Sequence, residues 1–110
     1  MAKNKIKYAK DALDDLDSIF AYISEDNRAA ALGMLQRIEA SICRLAENPR
    51  IGVVVRPLEP CILESGYRYV FEKPYMIFYR IGKETIYVSR ILHSRQNWLS
   101  LIFDNDFNEE

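Results

Sequence analysis

Polar and apolar residues alternate at Lys5–Tyr8 (K-I-K-Y), a period of two that predicts a short first strand. The period then lengthens. Leu13, Leu16, Phe20 and Ile23 recur at three- and four-residue spacing, and Ala12 and Ile19 widen the stripe. This predicts an amphipathic helix, with Asp11, Asp14 and Asp15 crowding first turns where the helix dipole favours acids. Asp26-Asn27 breaks the stripe and supplies a cap for the next element. Leu35, Ile38, Ile42 and Leu45, with Ala31 one turn earlier, predict a second helix over about 28–47. Pro49 stops it and Gly52 lies in the exit turn. So short a link between two apolar stripes implies an antiparallel helix hairpin.

Residues 50–65 contain Gly52, Pro57 and Pro60 and show no period, so a long loop with one short extended piece is expected. Three runs rich in aromatic and β-branched residues come next, at 66–72, 75–81 and 85–92. Lys73-Pro74 and Gly82-Lys83-Glu84 make the turns of an antiparallel meander. Residues 96–103 are expected to form a short helix or turn, with Trp98, Leu101 and Ile102 facing inward. The fold class is α+β: a short N-terminal strand, then a helix hairpin packed on the meander. Residues 1–103 make one domain, and 104–110 an acidic, disordered tail.

At 110 residues the chain has room for one domain, and its 49% hydrophobic and 28% charged residues are an ordinary globular mixture. The net charge of −1 hides an uneven distribution. Between Arg50 and Arg95 there are eight basic residues against four acids, while 104–110 holds four acids. Local charge of this kind steers partners more than the average does. Cys43 and Cys61 form no metal-ligand spacing, so neither a metal nor a cofactor is expected, and the thiols read as inert. No apolar run suggests a leader or a membrane span, so the expected location is the cytoplasm.

Several strings, in order, resemble the RelE/ParE toxins of bacterial toxin–antitoxin pairs. They are Y-M-I-F-Y-R-I at 75–81, R-I-L-H-S-R-Q at 90–96, D-A-L-D-D-L-D-S-I-F-A-Y-I at 11–23 and R-L-A-E-N-P-R-I-G at 44–52. The likeness runs from about Lys5 to Leu101 and is greatest to the ParE branch. The family divides by chemistry. The RelE branch resembles ribonucleases acting on messenger RNA, which need a base, an acid and phosphate-binding cations. The ParE branch resembles inhibitors of DNA gyrase that act by binding. Where the RNase branch has an arginine, this chain has Met76, and where it has a tyrosine, this chain has Leu101. Only Arg95 matches, and neither Tyr79 nor Trp98 stands in for the missing tyrosine. The resemblance therefore implies a gyrase-binding toxin without a catalytic site, neutralised by a cognate antitoxin.

The alternative is an RNase with a rebuilt site around His93 and Arg95, its carboxylate drawn from Glu47, Glu59 or Glu64. The plainer expectation for His93 is a strand-end histidine bonded to backbone. Candidate target contacts are Arg68, Arg80, Arg90, His93, Arg95 and Trp98, with Arg80 and Arg90 sharing a patch on neighbouring strands. Tyr67, Tyr69, Tyr75, Tyr79 and Tyr87 are expected to be half-buried sheet residues rather than a base-stacking surface. Candidate antitoxin contacts are Leu13, Leu16, Phe20, Ile23, Leu35 and Ile38. The antitoxin segment is expected to fold on binding. No direct DNA binding is expected without it, and a homodimer or a toxin–antitoxin hetero-oligomer fits equally.

Overall fold

The computed structural model describes residues 4–55, 66–98 and 101–102. Its elements are β1 (Lys5–Tyr8), α1 (Lys10–Ser24), α2 (Arg28–Glu47), β2 (Val53–Val54), β3 (Tyr67–Glu72), β4 (Tyr75–Ile81) and β5 (Thr85–His93). Backbone at Trp98 and at Leu101–Ile102 is helical, as expected of the C-terminal segment. The expected disorder of 104–110 lies outside the described residues.

Asn27 starts α2: its side-chain oxygen accepts the Ala30 N–H at 3.0 Å and satisfies an otherwise unpaired first-turn donor. Pro49 cannot continue α2, and the chain tightens into a 3-10 turn at Pro49–Ile51. The sheet order is β1-β5-β4-β3-β2. β3, β4 and β5 form the expected antiparallel meander, and β2 extends it as an edge strand. β1 lies parallel to β5, which makes the sheet mixed. A parallel neighbour needs a crossover, and the helix hairpin forms part of it.

Both sheet faces are covered over the middle of β4, where Tyr75 to Tyr79 are all buried. On one face Tyr75, Ile77, Val88 and Ile91 pack under Ala12 and Ile19 of α1 and Met34, Ile38 and Ile42 of α2. On the other, Met76, Phe78 and Leu92 pack with Val55, Tyr67 and Ile102, and Tyr69, Trp98 and Leu101 close over them. The two-residue alternation of β4 feeds both clusters.

The stripe on α1 is rotated from its expected centre. Ala12 and Ile19 are the buried residues, Leu16, Phe20 and Ile23 are half-buried, and Leu13 is 48% exposed. The small Ala12 marks the line of closest approach to the sheet, and that line, rather than the largest side chains, sets the buried face. The loop after α2 is fastened from β4. Tyr79 donates its hydroxyl to the Pro49 carbonyl at 2.6 Å and accepts the Gly52 N–H at 3.0 Å.

Candidate functional site

β5 ends in a tight basic turn. The His93 N–H donates to Gln96 Oε1 at 2.8 Å, and the Gln96 N–H returns to the His93 carbonyl at 2.9 Å. The Ser94 N–H donates to the Pro74 carbonyl, which fastens the turn to the β3–β4 connection. His93 Nδ1 accepts the Arg95 N–H at 3.1 Å. An accepting Nδ1 places the ring proton of neutral His93 on Nε2. The edge of the Tyr75 ring meets the imidazole at 5.5 Å. His93 is thus a strand-end residue bonded to backbone.

Beside it an open pocket of about 270 Å³ is lined by Ser18, Ile19, Tyr22 and Tyr75. Arg95 is exposed beside the turn, and Trp98 turns away to lie over Phe78 and Tyr69, at 5.5 and 6.4 Å between ring centres. The end of β5 therefore presents an imidazole and a cation next to an exposed aromatic, Tyr22, that is 74% accessible. Such a surface can bind a polar partner. Acid–base catalysis asks for more, since an imidazole needs an orienting or complementary group. Among the described residues no carboxylate bonds His93. Glu72, which pairs with Tyr75 next to His93 across the sheet, takes the Ser41 hydroxyl and lies 3.9 Å from Arg44. Glu59 and Glu64 lie outside the described residues.

The structure does not gather the other arginines into one patch. Arg90 is bound to α1: its guanidinium forms two hydrogen bonds to Asp15, at 2.8 and 2.9 Å. Asp15 also accepts the Ile91 N–H at 2.9 Å. β1 pairing stops at Val88, so beyond it this edge of β5 needs another acceptor, which Asp15 supplies. The pair is largely enclosed, with side chains 16% and 13% accessible, and the bonds to Asp15 hold the guanidinium above its ordinary pKa. Arg80 lies elsewhere, 4.3 Å over the ring of Tyr67. The expected Arg80–Arg90 patch is corrected on this geometry. Arg68 donates to the Gly52 carbonyl at 3.1 Å and so steadies the loop after α2.

Met76 and Leu101 come together. Met76 is 5% exposed, and half-buried Leu101 packs on the same cluster, as Trp98 does. Of the tyrosines, Tyr67, Tyr75 and Tyr79 are buried, Tyr69 is half-buried and Tyr87 is exposed. Ile38, expected to meet a partner, is 1% exposed and belongs to the core beneath the helices, so it is unavailable for docking. The helix pair instead presents Leu13, Tyr22 and Leu32, beside half-buried Leu16, Phe20, Ile23 and Leu35. Sequence periodicity missed Tyr22 and Leu32, which fall outside both stripes. Among the described residues no group of acidic, histidine and cysteine side chains could hold a metal.

Residues 6–98 match the family described as ParE toxin of type II toxin–antitoxin system, parDE. The chain belongs to the ParE toxin family. It is 36% identical over 84 residues to toxin ParE3 of Caulobacter vibrioides, covering 76% of this chain and 79% of that one. It is 32% identical over 99 residues to Y4kP of Sinorhizobium fredii, covering 89% and 96%. In fold it is similar to a chain of the chromosomal ParDE system from P. aeruginosa, with a TM-score of 0.65, 23% identity and coverage of 83% and 96%. It is also similar to a chain of the RelBE2 toxin–antitoxin complex from Mycobacterium tuberculosis, with a TM-score of 0.58, 21% identity and coverage of 87% and 97%. Membership makes this ParE-family protein the toxin of a type II pair. The two solved structures bear on the fold, which is the α+β arrangement expected.

Proposed function

We propose that this toxin acts by binding DNA gyrase, through the end of β5 and the turn after it, and that a cognate antitoxin neutralises it. The observation that carries the reading is the fate of Met76 and Leu101. They occupy the two positions at which the RNase branch of the resembling family has an arginine and a tyrosine, and here Met76 is buried in an apolar cluster on which half-buried Leu101 packs. A buried thioether and an isobutyl group supply no charge to a phosphate and no proton to a leaving oxygen. The polar and accessible groups nearby are His93, Arg95 and the turn between them.

The antitoxin would dock on the outer side of the helix pair. Leu13, Leu16, Phe20, Ile23 and Leu35 give it apolar contacts, with Tyr22 and Leu32 added by the structure. Burying exposed apolar residues would stabilise the toxin by mass action. The RNase reading keeps one support, the exposed Arg95 two residues from His93 in the same turn.

In cells the test is induction of the parent chain and of the His93→Ala/Arg95→Ala variant, followed by recovery of a reporter plasmid. The parent is expected to arrest growth and leave relaxed or linear plasmid. The variant should be weaker in both while still capturing its antitoxin. Equal killing by both chains would remove this turn from the target surface. Arrest with fully supercoiled plasmid and degraded messenger RNA would favour the RNase reading.

A further inference from the structure

The four consecutive N–H groups of the turn after β5 each have an acceptor. Ser94 donates to the Pro74 carbonyl at 2.9 Å, and Gln96 to the His93 carbonyl at 2.9 Å. The other two acceptors are side chains of the turn itself. Gln96 Oε1 takes the His93 N–H at 2.8 Å, and His93 Nδ1 takes the Arg95 N–H at 3.1 Å. A side chain that accepts from the backbone two residues on is the device by which Asn and Asp build a turn. Here an imidazole supplies it, and the backbone it fixes carries the only arginine of the turn, whose side chain is exposed.

The imidazole is held where that bond needs it. Tyr75 stands opposite His93 on the β4–β5 ladder, and its buried ring lies at 81° to the imidazole with centres 5.5 Å apart. From α1, Ser18, Ile19 and Tyr22 line the pocket that the imidazole borders. The acids of the surrounding elements are engaged elsewhere: Asp15 holds Arg90 and the Ile91 N–H, and Glu72 takes the Ser41 hydroxyl. The cations nearest in the chain are Arg95 itself and Lys73, next to the proline that holds Ser94. Nδ1 accepts the Arg95 N–H only while it carries no proton, because a protonated ring has donors alone.

We propose that His93 is a positioning residue for the target surface: through Nδ1 it fixes the Arg95 backbone and so aims the Arg95 guanidinium, which makes the contact. This inference rests on the reading of the β5 turn as the target-binding surface and divides that surface between two roles. It also separates the two ring nitrogens. Nδ1 is spent on the turn, so what His93 gives the toxin is an acceptor at one place. Asn carries its oxygen on the atom after Cγ, as His carries Nδ1, and can accept from residue 95 in the same way. Gln carries its oxygen one bond further, at the reach of Nε2, and cannot.

The test induces the full chain as His93→Asn, His93→Gln and each combined with Arg95→Ala, and measures the expression level that half-arrests growth. One turn hydrogen bond corresponds to about fivefold in binding, so His93→Gln should need about five times the level of His93→Asn. In the Arg95→Ala chain the two should not differ, since His93 acts through Arg95. Amide NMR of the purified chains reads the turn directly. The Arg95 N–H should be protected from solvent exchange in the parent and His93→Asn, and unprotected in His93→Gln. In the parent that protection should be lost in step with protonation of the His93 ring, followed by its own ring signals, while His93→Asn keeps it. Growth arrest reads the turn whatever the target, so Asn above Gln with gyrase unaffected would uphold the positioning role and remove gyrase as its object. Equal potency of Asn and Gln would overturn the proposal. Greater potency of Gln would overturn it too, by making Nε2 the contact, and so would an Arg95 N–H indifferent to the residue at 93.

Discussion

Tyr79 is the residue on which the loop after α2 depends. Its ring is fully buried, and its hydroxyl both donates to Pro49 and accepts from Gly52. Tyr79→Phe leaves a buried amide and a part-buried carbonyl unmatched, so a loss of about 1–3 kcal/mol is expected in urea unfolding. Gly52 is fitted to the same ring. A Cβ there would run into the Tyr79 hydroxyl and stand 2.9 Å from the Tyr69 carbonyl. Gly52→Ala should cost about 1–3 kcal/mol, read as a lowered melting temperature.

Burial raises the pKa of Tyr8, Tyr75 and Tyr79 above the ordinary tyrosine value. For Tyr79 the Gly52 N–H and the nearby Arg68 pull the other way without cancelling it. In the unfolded chain these phenols ionise near pH 10, before their folded counterparts. Their contribution to stability is therefore complete below about pH 10 and is lost as pH rises through the folded values. The urea midpoint should hold up to about pH 9.5 and fall above 10, less steeply in Tyr79→Phe. A midpoint that is flat to pH 11 would contradict this. Tyr79 is visible in the sequence as one of the five tyrosines of the three meander strands. Its partners lie 27 and 30 residues away, a separation that local pattern cannot register.

Among the elements, α1 and β5 are joined by the Asp15–Arg90 pair. Asp15 keeps both the guanidinium and the Ile91 N–H, so its loss strands two donors in a largely enclosed place. Asp15→Ala should destabilise by about 2–3 kcal/mol in chemical denaturation. Asp15→Asn keeps an acceptor for Ile91 and should cost less. A cost below about 0.5 kcal/mol for Asp15→Ala would show that the pair is no more than a surface contact. The acids of α1 lie on the polar side of an amphipathic helix, and Asp14 and Asp17 are exposed there. Asp15 departs from this pattern because β1 stops short and exposes the edge of β5, a topological fact that no periodicity contains. The hairpin, its Asn27 cap and the three meander strands were legible, because each rests on local spacing and turn residues.

At the scale of the whole molecule, β4 divides the interior into a core under the helices and a second core under the C-terminal helical turn. The second core takes in the positions where an RNase relative has catalytic side chains. The substitutions at Met76 and Leu101 could be read in the sequence, but their packing on one apolar cluster, Met76 buried and Leu101 half-buried, required the fold. Met76→Arg tests that burial. A guanidinium forced into this apolar cluster should destabilise by about 3 kcal/mol or more, rather than create a ribonuclease. RNA cleavage by a folded Met76→Arg variant would refute the apolar packing as the reason for lost chemistry.

The most direct measurement is supercoiling of relaxed plasmid by gyrase from the native host, with purified toxin added and then with toxin plus antitoxin. Inhibition that the antitoxin reverses, weaker for His93→Ala/Arg95→Ala, is the expected result. Undiminished supercoiling, with cleavage of RNA by the same preparation, would contradict it.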